Sequence, residues 1–268
     1  MAATADGIEA AALRLRQAGT LRRQCFPIGD LLDDPTEADA YAVQDMVVEL
    51  SRVSGAEVIG YKLLNPLHEH DVRPVQGVLL DTMHVASGGS VELRRLLDPV
   101  IELKLGFTFG DDLGTYRDLD AVRRGIVGIA AVIEVADSRI GAATTHLDVV
   151  ADNALAGALA VGAPVTASAL DVDAVTLVLR RGGTSVVDAS VDADLAAALR
   201  DVLWLASAAE RRGRTVRAGE LVVTPAIGPS VPVRGSDLYA ASSNVLEPVS
   251  LTVADAVSPQ PLPQEIRS

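Results

Sequence analysis

The sequence predicts an α+β protein: a strand-rich body preceded by a small helical region. Three observations carry this. Two capped helical patterns fall before residue 57 of the 268. The rest of the chain reads mostly as short apolar or alternating segments punctuated by Gly, Pro, Asn and Asp. The longest of these, Asp98 to Gly110, alternates cleanly between two faces.

Bulk composition bounds the function. The apolar fraction is 49% but aromatics are only 3%, so Ala, Val and Leu must do most of the packing. A net charge of −13 argues against nucleic acid or an anionic membrane as partner, and leaves a small anionic substrate open because a site can oppose the global sign. The single cysteine, Cys25, can form no internal disulfide. The start MAATADGIEAA has no basic, apolar signal pattern, and no uncharged run approaches the ~20 residues of a membrane span. The expectation is a soluble, cytoplasmic protein.

In chain order, Asp6 and Glu9 suggest a capping box for a first helix with Ile8, Ala11, Ala12 and Leu15 as its stripe and Gly19 as its stop. Thr36 and Asp39 start a second helix, which carries Ala40, Val43, Val47 and Leu50 to an end at Gly55. These two make a helical region over residues 1–56. Glu57 to Leu64 is a strand containing Lys62. Asn65 to Val75 is a polar loop whose His68 and His70 are too sparse for a metal site but suit a lid. Gly77 to Met83 carries Asp81. Asp118 to Arg124 is a short helix leading into a strand, Ile126 to Val135, apolar on both faces except for Glu134. Ala154 to Val161 is a further strand. Ala174 to Arg180 and Ser185 to Asp188 form a hairpin. Asp194 to Arg212 is the best helix, stopped by Gly213, with Trp204 packing within it. The main domain runs over 57–256, and the proline-rich tail, 257–268, is expected to be disordered.

The chemistry concentrates in the middle. Ile101, Leu103, Leu105, Phe107 and Phe109 share one face of their strand, while Glu102 and Lys104 share the other, about 6–7 Å apart. Glu134, alone in an apolar strand, is costly to bury unless a cation or donors meet it. Two strands bearing buried acids, with a lysine, make a polar cavity. Nucleotide loops, CxxC and HExxH patterns are absent from the sequence.

The segments IELKLG, IEVADSRI and LDVVADNALAG, in this order, resemble the 2-keto-4-pentenoate hydratase and 4-oxalocrotonate decarboxylase branch of the fumarylacetoacetate hydrolase superfamily. The likeness runs from about Asp39 to Val253. It implies a rolled, barrel-like mixed sheet, a homo-oligomer, and lyase-like chemistry on a small 2-oxo or enol carboxylate: hydration, decarboxylation or cyclisation. Lys62, Asp81, Glu102, Lys104 and Glu134 then fall at catalytic positions, with Leu64, Arg139 and Thr224 on the substrate side. Three departures stand out. The family holds a divalent metal with three glutamates, and Lys104 occupies the second position. Leu64 and Pro225 each replace a glycine. No cofactor is therefore expected; magnesium or manganese would find only Glu102 and Glu134. Three readings stay open: a metal-free enzyme with Lys104 in the metal's place, a metal enzyme with Lys104 turned aside as a base, and a non-catalytic binding or partner subunit.

Overall fold

The computed structural model describes residues 3–67, 73–116, 118–141, 144–166, 175–190 and 195–255. His68, His70 and the tail from residue 257 lie outside them. The first helix, α1 (Ala5–Leu21), is capped two residues earlier than expected. Thr4, not Asp6, accepts from the Gly7 amide, and the helix runs past Gly19 to end at Arg22, which takes the left-handed conformation. A hydroxyl in extended backbone outcompetes an acid already inside the first turn. The second, α2 (Glu37–Val53), has the Thr36/Asp39 capping box and turns out at Gly55, φ 99°.

The body comprises β1 (Val58–Leu64), β2 (Val75–Leu80), β3 (His84–Val85), β4 (Ser90–Glu92), β5 (Pro99–Phe109), α3 (Leu119–Gly125), β6 (Ile126–Asp137), α4 (His146–Ala151), β7 (Ala156–Val161) and β8 (Val165–Thr166). It continues with β9 (Thr176–Arg181), β10 (Thr184–Ser190), α5 (Leu195–Arg211), β11 (Leu221–Val223), β12 (Val231–Pro232), β13 (Asp237–Ser243) and β14 (Val249–Ala254). One nine-stranded sheet runs β2-β1-β11-β5-β6-β7-β3, with β12 also on β5 and β8 also on β6. A five-stranded sheet runs β10-β9-β13-β14-β4. The expected hairpin is β9–β10, antiparallel across Gly182 and Gly183.

The alternation of β5 decides where the core lies. Ile101, Leu103, Leu105, Phe107 and Phe109 are all buried in the main cluster with residues of β6, β9, β13, β14, α3 and α5. On the opposite face, Leu79, Val132, Leu159 and Val223 form a smaller apolar cluster. The helices α1 and α2 pack with α4, Val75 and Ala154 in another. Trp204 packs against the main core. No described helix is long and apolar enough to cross a membrane.

One strand begins later than its composition suggests. Ala154 is not the start of β7; Asn153, Ala154 and Leu155 form a turn with φ of 54°, 52° and 59°. Three successive non-glycine residues in the left-handed region cost roughly 1–2 kcal/mol each. The surroundings hold them there: the Asn153 side chain accepts from the Val78 amide at 2.7 Å and donates to the Val78 carbonyl at 2.8 Å.

Candidate active site

In the β5–β6 ladder Glu102 stands directly opposite Glu134. Two carboxylates so placed repel, and inside a protein they need cations. Both cations come from the same face of the sheet. Lys104, two residues along β5, lies on the diagonal to Glu134, with its Nζ 2.7 Å from Glu134 Oε2 and 3.0 Å from Glu102 Oε2. Lys62 reaches over from β1, donates to Glu134 Oε1, and places a second bond on the Ala154 carbonyl at 2.9 Å. The strained turn thus has a visible product, a carbonyl aimed at Lys62. Gly77, paired with Lys62 on β2, leaves room for the arrangement: a Cβ there would lie 2.8 Å from the Asn153 carbonyl oxygen and 2.9 Å from Lys62 Cγ.

The four side chains form a closed unit with balanced charge. Lys62 and Lys104 are 0% exposed, Glu134 2% and Glu102 6%. At its outer edge Ser230, which is exposed, donates to Glu102 Oε1 at 2.8 Å. Burial alone would raise the Glu102 carboxyl, but the Lys104 and Lys62 ammoniums and the Ser230 hydroxyl outweigh it and hold it at about 2. Burial works against protonated Lys104 too, yet its two carboxylates win and push it above its ordinary value. For Lys62 burial wins: aided by the like charge of Lys104, it overrides Glu134 and lowers the amine to about 8. The contacts of Lys104 are those of a point charge. Its Nζ meets one oxygen of each carboxylate, which leaves one of the three ammonium hydrogens for a further acceptor.

The segment after β11 folds back over this edge. Thr224 exchanges backbone and side-chain bonds with Leu105: its amide donates to the Leu105 carbonyl at 2.9 Å and its Oγ1 accepts from the Leu105 amide at 3.1 Å. The Ile227 amide then donates to the Leu103 carbonyl at 2.7 Å, and the chain returns at Ser230. The Pro225 carbonyl accepts from the Thr224 hydroxyl at 2.9 Å.

Other expected site residues lie elsewhere. Asp81 is exposed after β2, where its Oδ1 accepts from its neighbour's amide, Thr82, and from the Glu57 amide that precedes β1. Arg139 is committed to Asp152, whose carboxylate it pairs with, and to the Asp152 and Ala156 carbonyls. That is an internal brace, with every guanidinium nitrogen engaged. Leu64 is half-buried at the end of β1 opposite Val75 and packs on the helical cluster. Ser230 and the Ala154 carbonyl were not singled out by the sequence. A serine in a Gly-Pro turn carries no distinctive signal, and a backbone acceptor carries none at all.

The divalent cation implied by the resemblance fits these residues poorly. Among the described residues no three His, Cys, Asp or Glu side chains converge on a point. The two carboxylates present are already bridged by one ammonium and met by another, and a metal ion would have to displace both.

Comparison with known proteins bears on the site. The chain is 31% identical over 239 residues to 2-keto-4-pentenoate hydratase of Paraburkholderia xenovorans, spanning 86% of this chain and 89% of that one. It is 33% identical over 257 residues to 2-keto-4-pentenoate hydratase 1 of Dechloromonas aromatica, spanning 92% and 97%. Among solved structures, 4-oxalocrotonate decarboxylase from Pseudomonas putida G7, complexed with magnesium and adipate, superposes with a TM-score of 0.85 at 26% identity, over 92% of this chain and 97% of that chain. A fumarylacetoacetate hydrolase from Exiguobacterium antarcticum, at 16% identity and a TM-score of 0.58 over 74% and 76%, shares the fold alone. No family model matches the chain. With relatives this similar along nearly the whole of both chains, the chain belongs to the 2-keto-4-pentenoate hydratase family, a family of lyase-type enzymes, and has the fold of 4-oxalocrotonate decarboxylase and the fumarylacetoacetate hydrolases.

Proposed function

We propose that this protein is a hydratase-like lyase acting on a small 2-oxo or enol carboxylate, and that the Lys104 ammonium takes the place of the metal. The observation that carries this is the position of Lys104 Nζ, 2.7 Å from Glu134 and 3.0 Å from Glu102. Charge arithmetic supports it. Three glutamates, a divalent cation and Lys62 sum to zero, as do two glutamates with Lys62 and Lys104. The buried acids stay paired with no ion added.

Each residue then has a task. Lys104, held protonated by two carboxylates, offers its remaining N–H to the substrate's carboxylate or carbonyl oxygen and stabilises negative charge there. Lys62, with its lowered proton affinity, is the amine that can give up its proton at neutral to mildly alkaline pH, and Glu134 is the adjacent acceptor. Glu102 and Ser230 fix Lys104 from the outer edge. A point ammonium polarises a carbonyl less than a divalent cation does, so more of the activation falls to Lys62.

The test joins turnover with calorimetry. Hydration of 2-hydroxypenta-2,4-dienoate is expected to survive a chelator and to fall by about two orders of magnitude or more in Lys62→Ala. Titration with magnesium or manganese is expected to give no binding heat in the parent protein and clear binding in Lys104→Glu, where three acids would converge. Tight metal binding by the unmutated protein would defeat the metal-free reading. If no 2-oxo acid is turned over but one raises the melting temperature, the chain is a binding relative instead.

A further inference from the structure

Lys62 and Lys104 are the only lysines in the chain; the other members of its 23 Lys and Arg are all arginine. Both are wholly buried, and they share one carboxylate, each on its own oxygen of Glu134. Arginine serves as a permanent cation everywhere else in this protein, and what lysine adds is an amine that can give up its proton and attack a carbon. The second carboxylate, Glu102, pairs with Lys104 alone, so of the two amines on Glu134 it is Lys62 that shares its acid with a neighbouring cation and has no other, the setting of carbonyl-activating lysines beside a second cation.

The two are not equivalent. Lys104 lies between two carboxylates, whereas Lys62 has one, its remaining acceptor being the neutral Ala154 carbonyl. We propose that Lys62 is a covalent catalyst that forms an imine with the carbonyl carbon of a 2-oxo acid, with Lys104 as its proton donor and Glu134 as its proton acceptor. The proposal rests on the 2-oxo acid reading above and names the atom that meets the substrate.

The step balances without an outside reactant. Lys62 passes a proton to Glu134 and its free pair attacks the carbonyl carbon. As the C–N bond forms, the C=O π pair moves to oxygen, which takes a proton from Lys104, and the new N–H₂⁺ returns a proton to Lys104. The C–O bond then breaks, the hydroxyl leaves as water with the proton held on Glu134, and the nitrogen pair closes a protonated C=N. The four side chains end with the charge they began with. The iminium withdraws electrons from the neighbouring carbon, the activation that addition of water or loss of CO₂ requires. Of the four side chains Glu102, beside exposed Ser230, keeps the most exposure, 6%.

The test is reductive trapping of the full-length protein with pyruvate or 2-oxobutanoate and sodium borohydride, followed by peptide mapping. The expected result is one adduct on the Lys62 peptide, heavier by the mass of the oxo acid less one oxygen, and absent from Lys62→Arg. Mapping on the parent protein decides the site even if that variant fails to fold. An adduct on Lys104 or on the chain's amino terminus alone overturns the proposal. So does no adduct when the same acid is turned over or raises the melting temperature, an outcome that leaves the 2-oxo acid reading standing. Neither trapping, nor turnover, nor a melting shift with any 2-oxo acid overturns both.

Discussion

Glu102 faces Glu134 across a strand pair, and each acid is tolerable only because a lysine meets it. The consequence is a steep dependence on acid. Glu102 titrates at about 2 in the folded protein against an ordinary 4.5, so its contribution to stability is full above the ordinary value and is lost as pH falls towards 2. Urea unfolding between pH 6 and 2 is expected to show the parent losing roughly 3 kcal/mol more than Glu102→Gln; equal slopes would mean this carboxylate contributes nothing. Lys62 runs the other way. Its amine is lowered to about 8 from 10.5, so between those values the unfolded chain holds a proton that the folded one does not, and its contribution rises with pH across that window. Sequence alone showed that Glu102 and Lys104 share a face, because period two is local. It could not show that Lys62 ends on Glu134, 72 residues away, since that depends on β11 inserting between β1 and β5.

At the scale of elements, the site depends on a close fit between β1, β2 and the left-handed turn before β7. Gly77→Ala sets a methyl against the Asn153 carbonyl, Lys62 Cγ and Ala154 Cβ, the last at 3.0 Å. The expected cost is about 1–3 kcal/mol in urea unfolding, with activity lost out of proportion because Lys62 is the side chain displaced. Asn153→Ala leaves the buried Val78 amide and carbonyl without their side-chain partner and is expected to cost about 2–4 kcal/mol; an unchanged midpoint would show that the turn holds itself. The strands and helices were largely legible, as in the β9–β10 hairpin and the Thr36 cap, because alternation and capping act within a few residues. The left-handed turn was not. Only Asn153 in it is at ease with positive φ, and Ala154 and Leu155 are held there by neighbours from β2.

In the whole molecule the helical region and the sheet are tied at Arg212. Its guanidinium lies 4.1 Å from the centroid of the Tyr41 ring, pairs with Asp45, and donates to Gln44 at 2.9 Å and Gln76 at 3.1 Å, joining α2, β2 and the end of α5. Arg212→Lys keeps the charge but loses the fork, and is expected to lower stability by about 2 kcal/mol and to loosen α2 in hydrogen exchange before the β5–β6 pair; uniform exchange would argue against this tie. The distribution of basic residues over the molecule has a further effect. With both lysines sealed in the site, the folded chain presents no side-chain amine to its surroundings. Reactive acyl donors that decorate the lysines of ordinary protein surfaces, and enzymes that build isopeptide bonds on lysine, find no side-chain amine to modify while it stays closed. Any acyl group recovered on Lys62 or Lys104 would therefore record a moment at which the site stood open.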